Sequence, residues 1–164
     1  MSRLISFLIT NKKPLSFSLC FILVLKVIFL DQVTKLAVLE YFATNTDSIN
    51  VFSFLNIVEV YNKGVSFGLF GSIEHANIIL AITSSLIICG LWIWFIRNIN
   101  YFNGIAVGLI TGGAIGNLID RALYHAVVDF IDFHIGNWHY PAFNVADGSI
   151  VLGVVVLIIV TWKN

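Results

Sequence analysis

Apolar residues are concentrated in four long segments of this chain, and polar residues fill the connections between them. The segments cover residues 15–41, 76–96, 102–121 and 144–162. A hydrocarbon core about 30 Å thick is crossed by roughly 20 mostly apolar helical residues, so each segment is long enough to span it. The pattern therefore predicts four transmembrane helices. No internal repeat and no long linker separates them, which indicates a single domain over residues 1–164.

The longest connection, residues 42–74, differs in pattern from the helices. Its stretch 51–61 (VFSFLNIVEVY) is rich in β-branched and aromatic side chains, which favour strands. The sequence Asn62-Lys63-Gly64 that follows is typical of a turn. The predicted fold class is therefore a membrane all-α protein with a small extramembrane β element, whose strand-containing loop lies at the membrane surface.

Composition supports a membrane protein and excludes other classes. Of the 164 residues, 59% are hydrophobic and 11% are charged, against roughly 25% charged residues in soluble domains. The net charge is zero and there is no basic run, so nucleic acid is not an expected partner. Cys20 and Cys89 fall inside apolar segments and are expected to be packing residues. His125, His134 and His139 share one connection, but their spacing does not resemble a zinc site, and we expect no metal.

The distribution of basic residues predicts the orientation. One side of the membrane would carry Arg3, Lys12, Lys13, Arg97 and Lys163, and the other Lys35, Lys63 and Arg121. Because loops with more Lys and Arg stay in the cytoplasm, both termini are predicted to be cytoplasmic.

Polar residues from three of the predicted helices then fall at one depth, near the outer surface. They are Asp31, Gln32 and Lys35 of the first, Asn117, Asp120 and Arg121 of the third, and Asn144 and Asp147 of the fourth, with Asp129 in the loop between the third and fourth. Polar side chains next to lipid are costly, so a cluster of them indicates a functional site.

Each of these residues also has a structural explanation. Three are local: a salt bridge between Asp31 and Lys35, an ion pair between Asp120 and Arg121, and a helix N-cap formed by Asn144 and Asp147. Asn117 can bond a neighbouring helix backbone. The conjunction of all of them at one depth favours a site.

Two carboxylates in apolar surroundings can share one proton, which is the arrangement of an aspartic protease. Asp147 is one candidate, and the residues alone leave Asp129 and Asp132 open as its partner. Two other classes remain: a small proton- or cation-coupled transporter that uses the same carboxylates, and a structural or assembly subunit. A transporter is expected to show repeats and charges near the midplane.

Five motifs in order carry a resemblance to a known family: DQVTK (31–35), YNKGVSFG (61–68), GGAIGNLIDR (112–121), VDF (128–130) and FNVAD (143–147). Together they resemble lipoprotein signal peptidase (signal peptidase II), a family of bacterial inner-membrane aspartyl proteases. The resemblance covers nearly the whole chain from the first predicted helix onward.

The resemblance implies an endopeptidase that removes signal peptides from diacylglyceryl-modified prolipoproteins, cutting before the lipidated cysteine. It implies that Asp129 and Asp147 are the catalytic pair. Asp132 is then expected in the solvated loop. It also implies that the following residues bind substrate or support the site: Asp31, Lys35, Asn62, Gly64, Asn117, Arg121 and Asn144. We expect no cofactor, contact with membrane lipid, a monomer, and an active site near the periplasmic surface.

Overall fold

The computed structural model describes the backbone of residues 2–64 and 76–162, and side chains from residue 13 onward within those ranges. These described residues form four helices, α1 (Ser2–Phe42), α2 (Ala76–Arg97), α3 (Tyr101–Tyr124) and α4 (Val145–Trp162). All four are long and apolar enough to cross a membrane. The four predicted transmembrane helices are therefore confirmed.

Helix α1 is longer than predicted. It begins at Ser2 instead of near residue 15 and continues past Pro14 to Phe42. A proline is usually found at the start of a helix because it has no N–H to donate and its ring crowds the preceding turn. Here the helix continues on both sides of Pro14, so the apolar segment underestimates its length.

Helix α3 is the centre of the bundle, and its glycines allow the neighbouring helices to approach closely. A Cβ on Gly108 would lie 2.8 Å from the carbonyl oxygen of Cys20 in α1, and on the α4 side Gly113 faces Ala146. Small residues at helix contacts are the usual means of close packing in membranes. Near its other end, α3 meets α1 at Asp31, which faces Gly116. Helices α1 and α3 therefore run side by side in the same direction, and α4 returns antiparallel to them.

The β element is a four-stranded antiparallel sheet in the order β1-β2-β3-β4. Its strands are β1 (Ile49–Phe52), β2 (Leu55–Asn62), β3 (Val127–Ile135) and β4 (Trp138–His139). The strand-forming stretch predicted at residues 51–61 contributes to both β1 and β2. The part of that connection from residue 65 to 74 lies outside the described residues.

The connection between α3 and α4 is not the loop that the sequence predicted. It contains β3, which pairs with β2 from Asn62↔Val127 to Leu55↔Phe133. Two aspartates, Asp129 and Asp132, break the apolar alternation of this segment and obscure its strand pattern. The predicted position of both aspartates in a loop was therefore wrong, because both lie on β3.

Candidate active site

Asp129 is held on β3 by two side-chain amides from different elements. Its Oδ1 accepts a hydrogen bond from Asn144 Nδ2 (2.7 Å), and its Oδ2 accepts one from Asn62 Nδ2 (3.0 Å). The residue is only 2% exposed. Burial raises the pKa of Asp129 from its ordinary 3.8 to about 7, and the negative charge of Asp147 acts in the same direction, while the bonds from Asn62 and Asn144 lower it. A carboxyl group with this pKa can hold or release a proton near neutral pH.

Asp147 lies in the first turn of α4, where it forms a reciprocal cap with Asn144. The Asn144 N–H donates to Asp147 Oδ2 (3.3 Å), and the Asp147 N–H donates to Asn144 Oδ1 (2.9 Å). This is the capping-box arrangement, with each residue satisfying a free N–H of the helix terminus. The structural explanation of this pair as an N-cap is thus correct, and the same cap fixes the position of the carboxylate.

The Asn144 side chain joins the two aspartates. Besides Asp129, its Nδ2 group lies within hydrogen-bond distance of Asn117 Oδ1 (3.2 Å) and the Val128 carbonyl oxygen (3.3 Å). Asn117 in turn donates from Nδ2 to Asp147 Oδ1 (2.8 Å). A connected set of two asparagines therefore contacts both carboxylates.

A buried cation sets the orientation of Asn117. Lys35 Nζ donates to Asn117 Oδ1 (3.1 Å) and forms ion pairs with Asp31 Oδ2 (2.8 Å) and Asp120 Oδ2 (2.7 Å). Because the lysine donates to the Asn117 oxygen, the Asn117 NH₂ group faces Asp147. Lys35 is only 2% exposed, and its two carboxylate partners are buried as well, so the group has a formal charge of −1 in the protein interior.

The carboxylates of Asp31 and Asp120 also connect their helices to other elements, α1 to α4 and α3 to β3. Asp31 Oδ1 accepts from the Ala146 N–H of α4 (2.9 Å), and Asp120 Oδ2 accepts from the Val128 N–H of β3 (3.0 Å). The Asp31–Lys35 salt bridge is present, but the ion-pair partner of Asp120 is Lys35 and not the adjacent Arg121.

Asn62 and Gly64 hold the opposite side of Asp129. The Gly64 N–H donates to Asn62 Oδ1 (3.0 Å), which leaves the Asn62 NH₂ group directed at Asp129. This bond lies in the turn that the sequence predicted after residue 61. The glycine therefore acts on the site through the orientation of Asn62.

One cavity of about 140 Å³ brings these groups together. It is lined by Asn62, Gly64, Arg121, Val127, Asp129, Ala142 and Asp147. Arg121 donates from Nη1 to the Asn117 carbonyl oxygen (3.3 Å), and its buried Nε has no hydrogen-bond partner among the described residues. The cavity thus has two carboxylates and one guanidinium in its wall. A water molecule between the carboxylates has an acceptor and, when one of them is protonated, a donor.

Asp132 lies outside this cavity, and its predicted solvent exposure was wrong. It is 7% exposed, its Oδ2 accepts from Asn56 Nδ2 (3.2 Å), and both of its oxygens lie 2.9 Å from His139 Nδ1. His139 stacks on His134 with ring centroids 5.0 Å apart. Since neighbouring residues of a strand alternate between its faces, Asp129 and Asp132 point to opposite sides of the sheet.

All nine residues predicted for the site are therefore found in one connected region. Two further contributors, Asp120 and Gln32, were predicted to lie in the polar cluster at this depth but were not among the nine. Gln32 donates from Nε2 to Asp120 Oδ1 (3.0 Å) and to Asp31 Oδ2 (3.2 Å), and so links α1 to α3. The signal for Asp120 was its place three residues after Asn117 on one helix face.

Comparison with known proteins identifies the family. The family model described as "Signal peptidase (SPase) II" matches residues 23–163. The chain is 44% identical over 138 residues to the lipoprotein signal peptidase of Anaplasma phagocytophilum (strain HZ), covering 84% of this chain and 88% of that protein. It is 42% identical over 139 residues to that of Maridesulfovibrio salexigens, with 82% and 89% covered.

Solved structures give the same result for the fold. A bacterial membrane enzyme structure determined by the in meso method at 1.9 Å superposes with a TM-score of 0.75 and 35% identity, covering 88% of this chain and 93% of that one. A second such structure, at 2.3 Å, gives a TM-score of 0.74 with the same identity, 88% of this chain and 87% of the other being covered.

Proposed function

The chain belongs to the signal peptidase II family, and from this membership we propose that it is an aspartic endopeptidase that removes the signal peptide of prolipoproteins. The four apolar helices make it a multi-pass membrane protein. Neither the family nor the relatives support the transporter or the assembly-subunit hypothesis.

The proposed catalytic pair is Asp129 and Asp147. The observation that carries this proposal is that the two carboxylates, from β3 and α4, line one cavity and are joined through Asn144. Hydrolysis of a peptide bond needs a base for the attacking water and an acid for the carbonyl oxygen or the leaving nitrogen. Two carboxyl groups that share one proton supply both.

The surroundings of the pair favour Asp147 as the base and Asp129 as the acid. Asp147 lies at a helix N-terminus, which stabilises negative charge, and accepts from Asn117 Nδ2 (2.8 Å). Asp129 is more deeply buried and keeps a proton up to about pH 7. In the proposed reaction, Asp147 takes a proton from water as the water oxygen attacks the carbonyl carbon, and Asp129 protonates the carbonyl oxygen. When the C–N bond breaks, Asp147 passes its proton to the leaving nitrogen, and Asp129 takes back a proton from one hydroxyl of the intermediate, which re-forms the carbonyl group.

The remaining predicted residues support the pair in different ways. Asn117, Asn144 and Asn62 donate hydrogen bonds to its carboxylates, and Gly64 orients Asn62. The buried Lys35–Asp31 pair orients Asn117 and holds the first turn of α4. Arg121 supplies a positive charge in the cavity wall.

A larger cavity of about 430 Å³ opens next to Asp147 and suits an apolar part of the substrate. It is lined by Tyr140, Pro141, Phe143, Asp147, Gly148, Ile150 and Val151. This lining fits a substrate whose cleavage site carries a diacylglyceryl group and enters from the lipid side. The proposed substrate is accordingly a diacylglyceryl-modified prolipoprotein that is cut before its lipidated cysteine.

The proposed location is the bacterial inner membrane, with both termini in the cytoplasm and the active site near the periplasmic surface. The excess of Lys and Arg at the end that carries the termini supports this orientation. A monomer is proposed as the active unit, because one chain provides every residue assigned to the site.

The test is cleavage of a diacylglyceryl-modified prolipoprotein by the purified protein in detergent. Asp129→Asn and Asp147→Asn are each expected to abolish cleavage, because an amide of the same shape cannot exchange the proton. Circular dichroism and thermal unfolding establish that each variant is folded.

Two carboxylates serve as matched controls. Glu59 is exposed on β2, so Glu59→Gln is expected to leave cleavage unchanged. Asp132→Asn changes a buried carboxylate on the same strand as Asp129, and it is expected to keep most activity. Substantial turnover by Asp129→Asn or Asp147→Asn, or an inactive but folded Asp132→Asn, would contradict the assignment.

A further inference from the structure

A second polar cavity lies at the end of the bundle opposite the carboxylates. It has a volume of about 460 Å³ and is lined by Lys13, Trp94, Ile96, Arg97, Asn98, Ile99, Asn100, Asn103 and Thr161. These residues belong to α1, the last turn of α2, the connection from α2 to α3, the first turn of α3 and the last turn of α4. Asn103 and Asn117 are separated by roughly 21 Å along α3, at 1.5 Å per residue. The cavity is therefore distinct from the proposed active site.

The charge in this cavity is positive and has no acidic counterpart in the sequence around it. Lys13 and Arg97 both line the cavity. No Asp or Glu occurs in residues 1–30, 75–119 or 148–164, and all the lining residues come from these three ranges. Two cations in a concave surface that has no Asp or Glu among its lining residues attract an anionic group.

The buried side-chain amide of Asn103 in the cavity wall indicates that the ligand carries a hydrogen-bond donor as well as an anionic group. Asn103 is 3% exposed, and its Nδ2 group donates to the Asn98 carbonyl oxygen (2.6 Å). Its buried Oδ1 has no hydrogen-bond partner among the described residues. An unpaired buried acceptor costs free energy, so an occupant that donates a hydrogen bond to it is favoured. The Asn103 N–H is already used, because it donates to Asn100 Oδ1 (2.8 Å) in the cap of α3.

The position of the cavity favours a lipid over a free ion. It lies where α2 and α4 end and α3 begins, at the level of the membrane surface for helices of this length. Trp94, Ile96 and Ile99 supply an apolar wall beside the cations. Tryptophan is enriched at this level of a membrane, and basic pockets between transmembrane helices bind phospholipid headgroups.

We propose that this cavity binds the headgroup of a membrane phospholipid, with the phosphate near Lys13 and Arg97 and a headgroup N–H or O–H donating to Asn103 Oδ1. Phosphatidylethanolamine and phosphatidylglycerol both combine a phosphate with such a donor. Phosphatidylcholine has the phosphate, but its quaternary ammonium has no hydrogen to donate. The leaflet would be cytoplasmic under the orientation proposed above, and the binding itself depends on neither that orientation nor the peptidase activity.

The experiment is native mass spectrometry of the whole protein released from detergent micelles, with equal amounts of dioleoyl phosphatidylethanolamine, phosphatidylglycerol and phosphatidylcholine. We expect the first two lipids to be retained several-fold more than phosphatidylcholine. Arg97→Gln is expected to reduce their retention about tenfold, the scale of one charge-assisted hydrogen bond. Lys63→Gln, which removes an exposed cation at the opposite end, is the matched control and should bind as the unmodified protein does.

Two further measurements test whether the ligand is a lipid and whether Arg97→Gln acts on binding alone. A large excess of inorganic phosphate should not displace the lipid if the apolar wall contributes to binding. Arg97→Gln should retain thermal stability and prolipoprotein cleavage, which separates loss of binding from loss of folding. Equal retention of the three lipids, no effect of Arg97→Gln, or displacement by inorganic phosphate would each overturn the proposal.

Discussion

Asn56 and Asn62 are a natural matched pair at the residue scale. Both lie on β2, and each donates from Nδ2 to an aspartate of β3, Asn56 to Asp132 (3.2 Å) and Asn62 to Asp129 (3.0 Å). Only the second aspartate lines the cavity with Asp147. A comparison of the two asparagines therefore separates support of the strand from support of the proposed catalytic pair.

The hydrogen bond between Asn62 and Asp129 leads to a prediction about the pH dependence of cleavage. The proposed mechanism needs a proton on Asp129, and that proton is present below the pKa of about 7 and is lost as the pH rises through it. The kcat/KM for cleavage is therefore expected to decrease with a midpoint near pH 7 on the alkaline side. The Asn62 bond lowers the pKa of Asp129, so Asn62→Ala should move this midpoint to higher pH.

The measurement is a pH–rate profile of the unmodified protein, Asn62→Ala and Asn56→Ala. Asn56→Ala should leave the midpoint where it is, even if it lowers the rate. A midpoint that moves with Asn56→Ala and not with Asn62→Ala would show that Asp129 does not hold the catalytic proton.

Lys35 provides a second prediction at the residue scale. It is the buried partner of both Asp31 and Asp120, so Lys35→Met leaves two buried carboxylates without their cation. Removing one member of a buried ion pair costs about 3–5 kcal/mol. We expect a loss of this order in the free energy of unfolding, measured by denaturant titration in detergent.

The matched control for Lys35→Met is Lys63→Met, which changes an exposed lysine and should have little effect. Adding Asp31→Asn and Asp120→Asn to Lys35→Met removes the uncompensated charges and should restore part of the lost stability. If Lys35→Met alone is as stable as the unmodified protein, Asp31 and Asp120 do not carry uncompensated negative charges in that variant.

At the scale of elements, the helices could be predicted from the sequence and part of the sheet could not. Length and apolarity are enough to identify a transmembrane helix, because the lipid core has a fixed thickness. Strand β3 was missed because its aspartates interrupt the apolar alternation, and their cost is offset by partners that are distant in sequence. Asn144 and Asn62 bind Asp129, and Asn56 binds Asp132.

The site, too, could be predicted only in part from the sequence. The polar residues at one depth were visible in the sequence, and the family resemblance indicated which of them form the proposed catalytic pair. The partner of Asp120 was not visible, since Lys35 reaches it from another helix and the adjacent Arg121 offered a simpler local pair. Contacts between elements depend on how helices pack, and periodicity within one helix does not contain that information.

The packing of α3 gives a prediction for Gly116. A Cβ at this position would lie 2.6 Å from Asp31 Oδ2, so Gly116→Ala displaces a carboxylate that holds Lys35 and the Ala146 N–H. Overpacking of this kind costs roughly 1–3 kcal/mol. We expect a corresponding loss of stability in thermal unfolding and a reduced rate of prolipoprotein cleavage.

Gly90 of α2 is the matched control, because a Cβ there meets nothing within 4 Å. Gly90→Ala should leave activity unchanged and raise stability by up to about 1 kcal/mol, since alanine favours helix more than glycine does. If both alanine variants behave alike, close approach of α1 and α3 at Gly116 is not important for the site.

At the scale of the whole molecule, the two ends of the helix bundle differ in charge. The end with the proposed active site holds buried carboxylates with one lysine among them, and the other end has cations and no nearby Asp or Glu in the sequence. An excess of Lys and Arg keeps an end in the cytoplasm during insertion. The same asymmetry leaves Lys13 and Arg97 available for an anionic headgroup.

This asymmetry predicts which side of the membrane each end faces. Asp47 is exposed between α1 and β1, and Asn98 is exposed between α2 and α3. With a maleimide that does not cross membranes, Asp47→Cys should be labelled in intact spheroplasts. Asn98→Cys should be labelled only after the inner membrane is opened. The unmodified chain is the control and should stay unlabelled, because Cys20 is buried and Cys89 lies within the apolar helix α2. The reverse labelling pattern would place the carboxylates in the cytoplasm, where a periplasmic cleavage site could not reach them, and would move the phospholipid cavity to the outer leaflet.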